Sequence, residues 1–346
     1  MSAARRHSSR LLRWLPGLVI SAIAIYAIIH FTEGQDFGAA LRTVSPWFVV
    51  FLIAFSFLTL FARSIGWRTI LGRRVDLKTC FFGISEGYFL NNLFPLRAGE
   101  LGRALFVGRA SGLGMMHILS TILIERAFDI FFAAGILLIT LPLVVGATWI
   151  KPVAFTAFVI VIAGLAFLFF LSINREKFQD WIHSRNFRSS FVTKRILPQI
   201  NKIMDGLSAL VHPGQFVMSF IWIGINWVLW VIMYYVTVAQ LAPEAPIWWG
   251  GFIGSLLSLG VAIPAAPASV GVYEASVVGA FAILGVSNSA GLAYAIVLHL
   301  VQIVVTAILG MWGMIREGRS FSTLLTAIRE KPQIEQVEQV GTSEEH

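Results

Sequence analysis

Long apolar runs separated by short polar segments dominate the sequence. The runs do not alternate between polar and apolar positions, so they predict helices rather than the strands of a membrane barrel. About 20 apolar residues in a helix cross the roughly 30 Å of hydrocarbon in a bilayer. We therefore predict an all-α, polytopic helical membrane protein with about six full spans. The predicted spans are 15–31, 46–67, 115–145, 153–171, 215–241 and 289–315.

Two segments between the spans interrupt this pattern. Residues 79–114 and 247–285 are too polar, or too broken by proline and glycine, to be simple crossings. Irregular backbone at membrane depth is tolerated only where protein surrounds it or where it lines a cavity. The charges of the flanking loops place the entry of the first segment on the cytoplasmic side and that of the second on the outside. We predict two re-entrant hairpins that enter from opposite faces.

The two breaks resemble each other locally. Each has a proline, a glycine four residues later and a carboxylate soon after the glycine. Paired broken segments in an inverted repeat place the substrate of many transporters near the bilayer midplane. An inverted repeat and a chance recurrence of common residues both explain the likeness. The residues are Pro95, Gly99 and Glu100 in the first break, and Pro267, Gly271 and Glu274 in the second.

Composition and charge agree with a membrane location. The chain is 57% hydrophobic and 13% charged, whereas a soluble domain has about 25% charged residues. The net charge of +8 comes from lysines and arginines in short loops beside apolar runs. The tendency of such loops to stay in the cytoplasm explains this charge without a nucleic-acid partner.

The same loop charges predict the orientation and the division of the chain. Basic residues before the first run, after the second run and in the longest loop place these segments in the cytoplasm, together with both termini. We therefore expect a multi-pass protein of the cell (cytoplasmic) membrane. The predicted parts are a basic cytoplasmic N-terminus (1–12), a transmembrane domain (13–318) with a basic cytoplasmic loop (174–213), and a disordered cytoplasmic tail (319–346).

Charged residues on the run 115–145 are the first candidates for function. A charge at the centre of a bilayer costs at least ~2.5 to 3.5 kcal/mol, so it persists where it is paired or lines a polar cavity. The polar residues His117, Thr121, Glu125 and Asp129 follow one another at intervals of four residues, which places them on one helix face with Arg126 adjacent. Two interpretations are open: a structural ion network that locks the bundle, or a cavity wall that meets substrate.

The first break carries the residues of a phosphate site. Asn91, Asn92, Arg97, Glu100 and Arg103 surround the break. Arginine binds phosphate through a planar fork of donors, and a helix that starts after the break adds free backbone N–H groups. The alternative is that the arginines only pair with carboxylates or mark the cytoplasmic rim.

The second break offers different groups. Pro264 and Pro267 would free backbone carbonyls, Gly271 permits close helix approach, and Glu274 would lie low in the membrane. The alternative is a proline kink with one capped carboxylate. For three further polar residues, a satisfied place in the core is the favoured interpretation. They are Asn226, His299 and Gln302.

Several catalytic signatures are absent from the sequence. It has no Gly-x-x-x-x-Gly-Lys-Ser/Thr phosphate loop, no His-Glu-x-x-His motif and no aspartate-rich run. Cys80 is the single cysteine, so it supplies neither an intrachain disulfide nor a site of several thiolates. We expect no bound metal, no cofactor and no coupling to ATP.

Three ordered motifs carry a family resemblance. The chain resembles the flippase-like transmembrane domain of lysylphosphatidylglycerol synthases, which also occurs as stand-alone proteins, over residues 12–318. The lysyl-transferring synthases have a further cytoplasmic catalytic domain where this chain has a short tail, so aminoacyl transfer is not expected. The motifs are Asn91-Asn92-x-x-Pro95-x-Arg97-x-Gly99-Glu100-x-x-Arg103, Glu125-Arg126-x-x-Asp129 and Pro264-x-x-Pro267-x-x-x-Gly271-x-x-Glu274.

The resemblance implies a protein that is not an enzyme and that moves a phospholipid or an isoprenoid-linked lipid between leaflets. A lipid-modifying enzyme of the glycosyltransferase kind, or an accessory subunit of a lipid or cell-envelope biosynthesis enzyme, is the alternative. Expected partners are phospholipids or polyprenyl-phosphate lipids, with a lipid-biosynthesis enzyme and a second copy of the chain as further candidates. The expected head-group ligands are Asn91, Asn92, Arg97, Glu100, Arg103, Glu125, Arg126, Asp129 and Glu274, and the expected breaks are at Pro95, Gly99, Pro264, Pro267 and Gly271.

Overall fold

A computed structural model of the chain describes residues 19–26, 41–94, 97–145, 150–174, 177, 197–207, 211–263 and 265–318. Regular structure in these ranges is helical throughout, without strands, which confirms the all-α class. Pro95, Pro264, the tail 319–346 and most of the loop 174–213 lie outside the described residues. The helices are α1 (Pro46–Ile70), α2 (Leu77–Leu93), α3 (Ala98–Ala110), α4 (Met115–Val145), α5 (Ile150–Ile173), α6 (Leu197–Gly206), α7 (Pro213–Ala239), α8 (Trp248–Gly260), α9 (Val272–Ile283) and α10 (Asn288–Arg316), with a 3₁₀ turn at Pro267–Ser269.

Four of these helices are long and apolar enough to cross a membrane. Among the described residues they are α1, α4, α7 and α10, and each coincides with a predicted span. The helix α5 coincides with the predicted span 153–171, and residues 19–26 form a helical stretch within the predicted first span. The total of six spans stays a prediction.

Local sequence signals set several helix starts. Proline stands at the start of α1 and α7, where its missing N–H group has no intrahelical partner to lose. Asp76 caps α2 by accepting a hydrogen bond from the backbone N–H of Thr79 at 2.9 Å. Partial burial favours the neutral form of Asp76, but the hydrogen bonds from Thr79 outweigh this effect and lower the pKa of the carboxyl group.

The first predicted hairpin consists of α2 and α3, which pack against each other. Its helix α2 runs antiparallel to the C-terminal half of α10. Phe82, near the start of α2, lies against Gly313, and Asn92, near its end, donates a hydrogen bond to Thr306 at 3.0 Å. The hairpin therefore reaches from the C-terminal end of α10 towards its middle.

The second predicted hairpin, α8 and α9, occupies the other half of α10. Phe281, near the end of α9, lies against Gly291, and Glu274, near its start, contacts His299. This hairpin therefore reaches the middle of α10 from its N-terminal end. The prediction that the two hairpins point in opposite directions agrees with this arrangement.

The order and the packing of the helices repeat. A long helix, two short helices and another long helix form both α1–α4 and α7–α10. The helix α2 packs on α10 just as α8 packs on α4, and α1 and α7 pack on each other. Because the two hairpins point in opposite directions, this repetition is that of the predicted inverted repeat.

The structural register of the repeat differs from that of the sequence motif. Arg97 and Gly271 are the residues that precede α3 and α9, and both have positive φ, 53° and 85°. Glu100 and Glu274 are therefore both the third residues of their helices. The motif instead pairs Gly99 with Gly271, because it aligns prolines and glycines rather than the points at which the helices start.

Among the described residues, the two larger apolar cores lie on opposite sides of a polar layer. Trp67 and Phe128 belong to the core around the first hairpin, and Leu52 and Phe281 belong to the core around the second. The helix α1 passes through both cores. Between Leu52 and Trp67 it carries the buried polar side chains of Ser56, Thr59 and Arg63, so the middle of the molecule is polar.

The outer faces of the long helices are apolar. Phe61 on α1, Leu123 on α4 and Ile308 on α10 are 49%, 49% and 56% exposed. An apolar surface that encloses a polar interior suits hydrocarbon rather than water as the surrounding solvent.

Candidate functional site

A cavity of about 300 Å³ lies in the polar layer, where the two hairpins meet. Its volume is at the lower end of the ~300–1,000 Å³ range of ligand pockets. Side chains from both halves of the repeat line it. The charged side chains of the wall are Arg63, Arg97, Glu100, Arg126 and Asp129.

Arg97 joins the tips of the two hairpins. Its backbone has φ 53° and ψ 38°, a left-handed conformation that residues other than glycine rarely adopt. One Nη2–H group donates a hydrogen bond to the carbonyl oxygen of Val261, at the end of α8, at 2.9 Å. The side chain is 38% exposed, so Arg97 stands at the mouth of the cavity and can meet a ligand that enters.

The two predicted amides position the first hairpin. The Oδ1 atom of Asn91 accepts a hydrogen bond from the backbone N–H of Gly99 at 2.8 Å, which ties the end of α2 to the start of α3. The Nδ2 group of Asn92 bonds to Thr306 on α10. Both amides also line the cavity, so each combines a structural contact with access to a ligand.

Arg126 is held between two carboxylates. Its Nε atom lies 3.0 Å from Oε1 of Glu100, and its Nη1 atom lies 3.1 Å from Oδ2 of Asp129. Each carboxylate has a further partner. Glu100 lies 3.7 Å from Arg97, and Asp129 lies 2.7 Å from Nη2 of Arg63. The charged side chains of the wall therefore form one connected network.

Glu125 and Arg103 lie behind this wall. Glu125 is fully buried and pairs with Arg103, at 2.6 Å, and with Arg63. The guanidinium group of Arg103 lies 3.5 Å from the ring centroid of Trp67, a cation–π contact. The two predicted head-group ligands Arg103 and Glu125 are thus absent from the lining, and Glu125 holds Arg63 in place. Their direct contact with a head group stays a prediction.

The formal charges of the wall do not cancel. The guanidinium groups of Arg63, Arg97 and Arg126 face the carboxylates of Glu100 and Asp129, which leaves a net charge of +1 on the wall. The buried pair behind it, Arg103 with Glu125, adds no net charge. Charges withdrawn from water are costly unless a partner neutralises them. An anion of a size that fits the cavity would supply that partner.

Glu274 lies beside the cavity rather than in its wall. One carboxylate oxygen accepts a hydrogen bond from the backbone N–H of Gly271 at 2.7 Å, and the other contacts Nδ1 of His299 at 2.6 Å. His299 itself lines the cavity. The predicted role of Glu274 in head-group binding stays a prediction, since Glu274 reaches the cavity through His299.

The sequence reasoning missed Arg63 as a site residue. Arg63 is the eighteenth residue of the apolar helix α1 and shares a face with Ser56 and Thr59. An arginine so far inside a span is the signal that could have identified it. Three residues that the pattern assigns to the core also line the cavity: Asn226, His299 and Gln302.

The described residues hold no group of three or more histidine, cysteine, aspartate or glutamate side chains arranged to bind a metal ion. The polar groups that line the cavity are guanidinium, carboxylate, amide, hydroxyl and imidazole groups.

The fold and the site define a class: helical membrane proteins in which two opposed hairpins enclose a charged cavity. The family model of the lysylphosphatidylglycerol synthase transmembrane region matches residues 14–310. The chain belongs to this family, which confirms the resemblance carried by the three motifs.

Membrane proteins of Methanothermobacter thermautotrophicus are similar to the chain over most of its length. One protein, named UPF0104 membrane protein, is 22% identical over 327 residues, which cover 89% of this chain and 96% of the relative. A second protein of the same name and organism is 24% identical over 330 residues, covering 87% and 92%. No solved structure matches the chain.

Proposed function

We propose that the protein moves a lipid with an anionic, phosphate-bearing head group between the two leaflets of the cell membrane. The lipid is a phospholipid or an isoprenoid-linked lipid. The observation that carries the proposal is the net positive charge of a cavity that lies at the meeting point of two opposed hairpins. Membership in a family named for a phospholipid synthase supports a role with lipids.

In the proposed mechanism only the head group enters the protein. The phosphate meets Arg97 at the mouth and then Arg126 and Arg63 on the inner wall, while the acyl chains stay in the surrounding lipid. Arginine suits this task because its planar fork binds two phosphate oxygens at once. Loosening of one hairpin contact and then the other would open the cavity to each face in turn, as in other inverted-repeat transporters. This function requires no catalytic step and no cofactor.

Arg126→Gln is expected to slow leaflet exchange of fluorescent phospholipids and prenyl-phosphate lipids by about tenfold or more in proteoliposomes. The variant removes a charge-assisted contact of about 1.5–3 kcal/mol, and 1.4 kcal/mol corresponds to a factor of ten. The variant is expected to fold because both carboxylates keep an ion-pair partner, Arg97 for Glu100 and Arg63 for Asp129. The measurement is the rate at which a membrane-impermeant reductant bleaches the labelled lipid.

Two further variants separate charge from structure. Arg109→Gln removes an exposed arginine at the end of α3, outside the cavity, and is expected to exchange lipid at the wild-type rate. Arg126→Gln combined with Glu100→Gln restores the net charge of +1 and is expected to recover part of the exchange. Wild-type exchange in Arg126→Gln, or no exchange of any of these lipids by the wild type, would contradict the proposal. A change in lipid mass after incubation would favour the enzyme alternative.

The proposed orientation places both termini and the loop between α1 and α2 in the cytoplasm. The side chain of Gln215, near the start of α7, lies beside Gly72, so this loop and the start of α7 share one end of the molecule. The labelling uses intact cells and a variant background in which Cys80 is replaced, so that the chain has no other cysteine. In this background Glu244→Cys is expected to react with a membrane-impermeant maleimide, whereas Arg74→Cys reacts only after permeabilisation. Both positions are exposed. The reverse labelling would overturn the orientation.

A further inference from the structure

His299 is placed between two hydrogen-bond acceptors. Its Nδ1 atom lies 2.6 Å from Oε1 of Glu274, and its Nε2 atom lies 2.9 Å from the backbone carbonyl oxygen of Ala268. The ring is 5% exposed and stacks on Tyr273 with 4.0 Å between the ring centroids. The imidazole is therefore fixed in orientation, with each nitrogen atom directed at an oxygen atom.

This geometry determines how many protons the pair holds. A neutral imidazole carries one N–H group, and an ionised carboxylate carries none, so together they can supply hydrogen to only one of the two contacts. Both contacts are satisfied if the imidazole is protonated, or if a neutral imidazole donates to Ala268 while a protonated carboxyl group donates to Nδ1. Each of these states holds one proton more than neutral His299 beside ionised Glu274.

The other titratable and charged groups around the pair come from several helices. Tyr273 belongs to α9 and Tyr234 to α7, and both rings line the cavity with Gln302. Tyr88 on α2 and the charged network of α1, α3 and α4 line it as well. Glu86 on α2 lies farther along α10, beside Gly313. The negative charges of the cavity wall, those of Glu100 and Asp129, are already paired with arginines.

The proton changes the net charge of the whole site. With the proton, Glu274 and His299 together are neutral, and the cavity keeps the +1 of its wall. Without the proton, the pair carries −1 and the site as a whole becomes neutral. An anionic head group therefore binds more tightly to the protonated site, and by reciprocity its binding favours protonation.

The inverted repeat places a different cation opposite the equivalent carboxylate in each half, so a change of charge by proton binding is specific to the second half. Glu100, the third residue of α3, faces Arg126, the twelfth residue of α4. Glu274, the third residue of α9, faces His299, the twelfth residue of α10. The first half thus has a guanidinium group, which is always charged, whereas the second half has an imidazole group, which exists in a neutral and a cationic form.

Loss of the proton also acts on the backbone of the break. The neutral imidazole then has one N–H group for two acceptors, Glu274 and the carbonyl group of Ala268, so one of the two hydrogen bonds is lost. The contact with Ala268 holds a segment in which Ala268 and Ser269 have φ 57° and 58°, a conformation that needs support from its surroundings. These two residues line the cavity, so release of the carbonyl of Ala268 would change its wall.

We propose that Glu274 and His299 together bind one proton that is coupled to the binding of the anionic head group. Release transfers the proton to solvent and leaves neutral imidazole beside ionised carboxylate. The coupling rests on the proposed function, whereas proton binding by the pair does not depend on it.

The test is a pH titration of the full-length protein, labelled with ¹³C and ¹⁵N in its histidines, followed by NMR in detergent. His299→Gln assigns the His299 signals by their loss from the spectrum. The control is His117→Gln, which replaces a histidine outside the cavity. We expect the ring signals of His299 to respond to pH as the pair binds its proton. Soluble short-chain phosphatidylglycerol is expected to raise the proton affinity of the Glu274–His299 pair about fivefold or more, in the range of typical coupling between sites.

Glu274→Gln keeps the geometry while it removes the shared proton. Its amide can accept from Gly271 and donate to Nδ1, as a protonated carboxyl group would, so the variant is expected to fold. We expect its His299 to lose the lipid-dependent shift. The ring ¹⁵N signals of His299 report both a proton on the imidazole and a hydrogen bond from a protonated Glu274 to Nδ1. Signals that stay constant from about pH 5 to 8, the range in which histidine ordinarily titrates, would overturn proton binding by the pair. A response to pH that the lipid does not move would overturn the coupling. A lipid-dependent shift without leaflet exchange would support this site and contradict only the proposed transport.

Discussion

Glu125→Ala is expected to lower the free energy of unfolding by about 3–5 kcal/mol, the usual cost of removing one partner of a buried ion pair. Glu125 is fully buried and holds two guanidinium groups, those of Arg63 and Arg103. Arg103 would be left with the face of Trp67 as its described partner for charge. The measurement is thermal or denaturant unfolding of the purified protein in detergent.

Two comparisons test the cause of this loss. Glu244→Ala removes an exposed carboxylate in the turn after α7 and is expected to change stability by less than about 0.5 kcal/mol, as surface substitutions usually do. Glu125→Leu combined with Arg103→Met is expected to be more stable than Glu125→Leu alone, because the second substitution removes the guanidinium charge that the first leaves unpaired. Wild-type stability of Glu125→Ala would show that the buried network does not support the fold.

Gly99→Ala is expected to destabilise the first hairpin by about 3 kcal/mol, the upper end of the usual cost of overpacking. A methyl group at Gly99 would overlap the backbone carbonyl group of Gly87 and come within 2.7 Å of Oδ1 of Asn91. Relief of this overlap would require either a shift of the α2 backbone or loss of the hydrogen bond from Gly99 to Asn91, and both changes cost free energy. The start of α3 would move, and Arg97 with it, so leaflet exchange is expected to fall together with stability.

Gly279→Ala is the matched control in the second hairpin. Gly279 lies in α9, the counterpart of α3, and nothing lies within 4 Å of the position of its added methyl group. The change is expected to leave exchange intact and to stabilise the helix by about 0.5–1 kcal/mol, because alanine loses less backbone entropy than glycine. Equal effects of the two substitutions would exclude the close contact at Gly99 as the cause.

The ion network has two roles, which Glu125→Ala and Arg126→Gln separate. The inner part, Glu125 with Arg103, is buried and carries the structural interpretation of the charged stripe on α4. Arg63 contacts Glu125 and lines the cavity, so it joins the two parts. The outer part, Arg126 with Glu100 and Asp129, borders the cavity and carries the functional interpretation. The two interpretations thus apply to neighbouring residues of one helix, since Glu125 and Arg126 point to different sides of the wall.

The sequence by itself determined the class of protein and the places where its helices break. Apolar runs of span length leave few folds that satisfy the backbone in lipid, and glycine and charge within such runs mark irregular segments. These are local signals, read within about 20 residues of one another. They located the first break near Gly99, the second near Gly271, and the charged stripe of α4.

The tertiary structure decided which of these residues meet. Arg63 pairs with Glu125 and Asp129 across 62 and 66 positions of the chain, and His299 pairs with Glu274 across 25. Such pairs depend on the register in which whole helices pack, which hydropathy and local motifs do not encode. The same register turned Arg103 behind the cavity wall and brought His299 into it. The net charge of the site therefore became visible only once the two halves of the repeat were packed together.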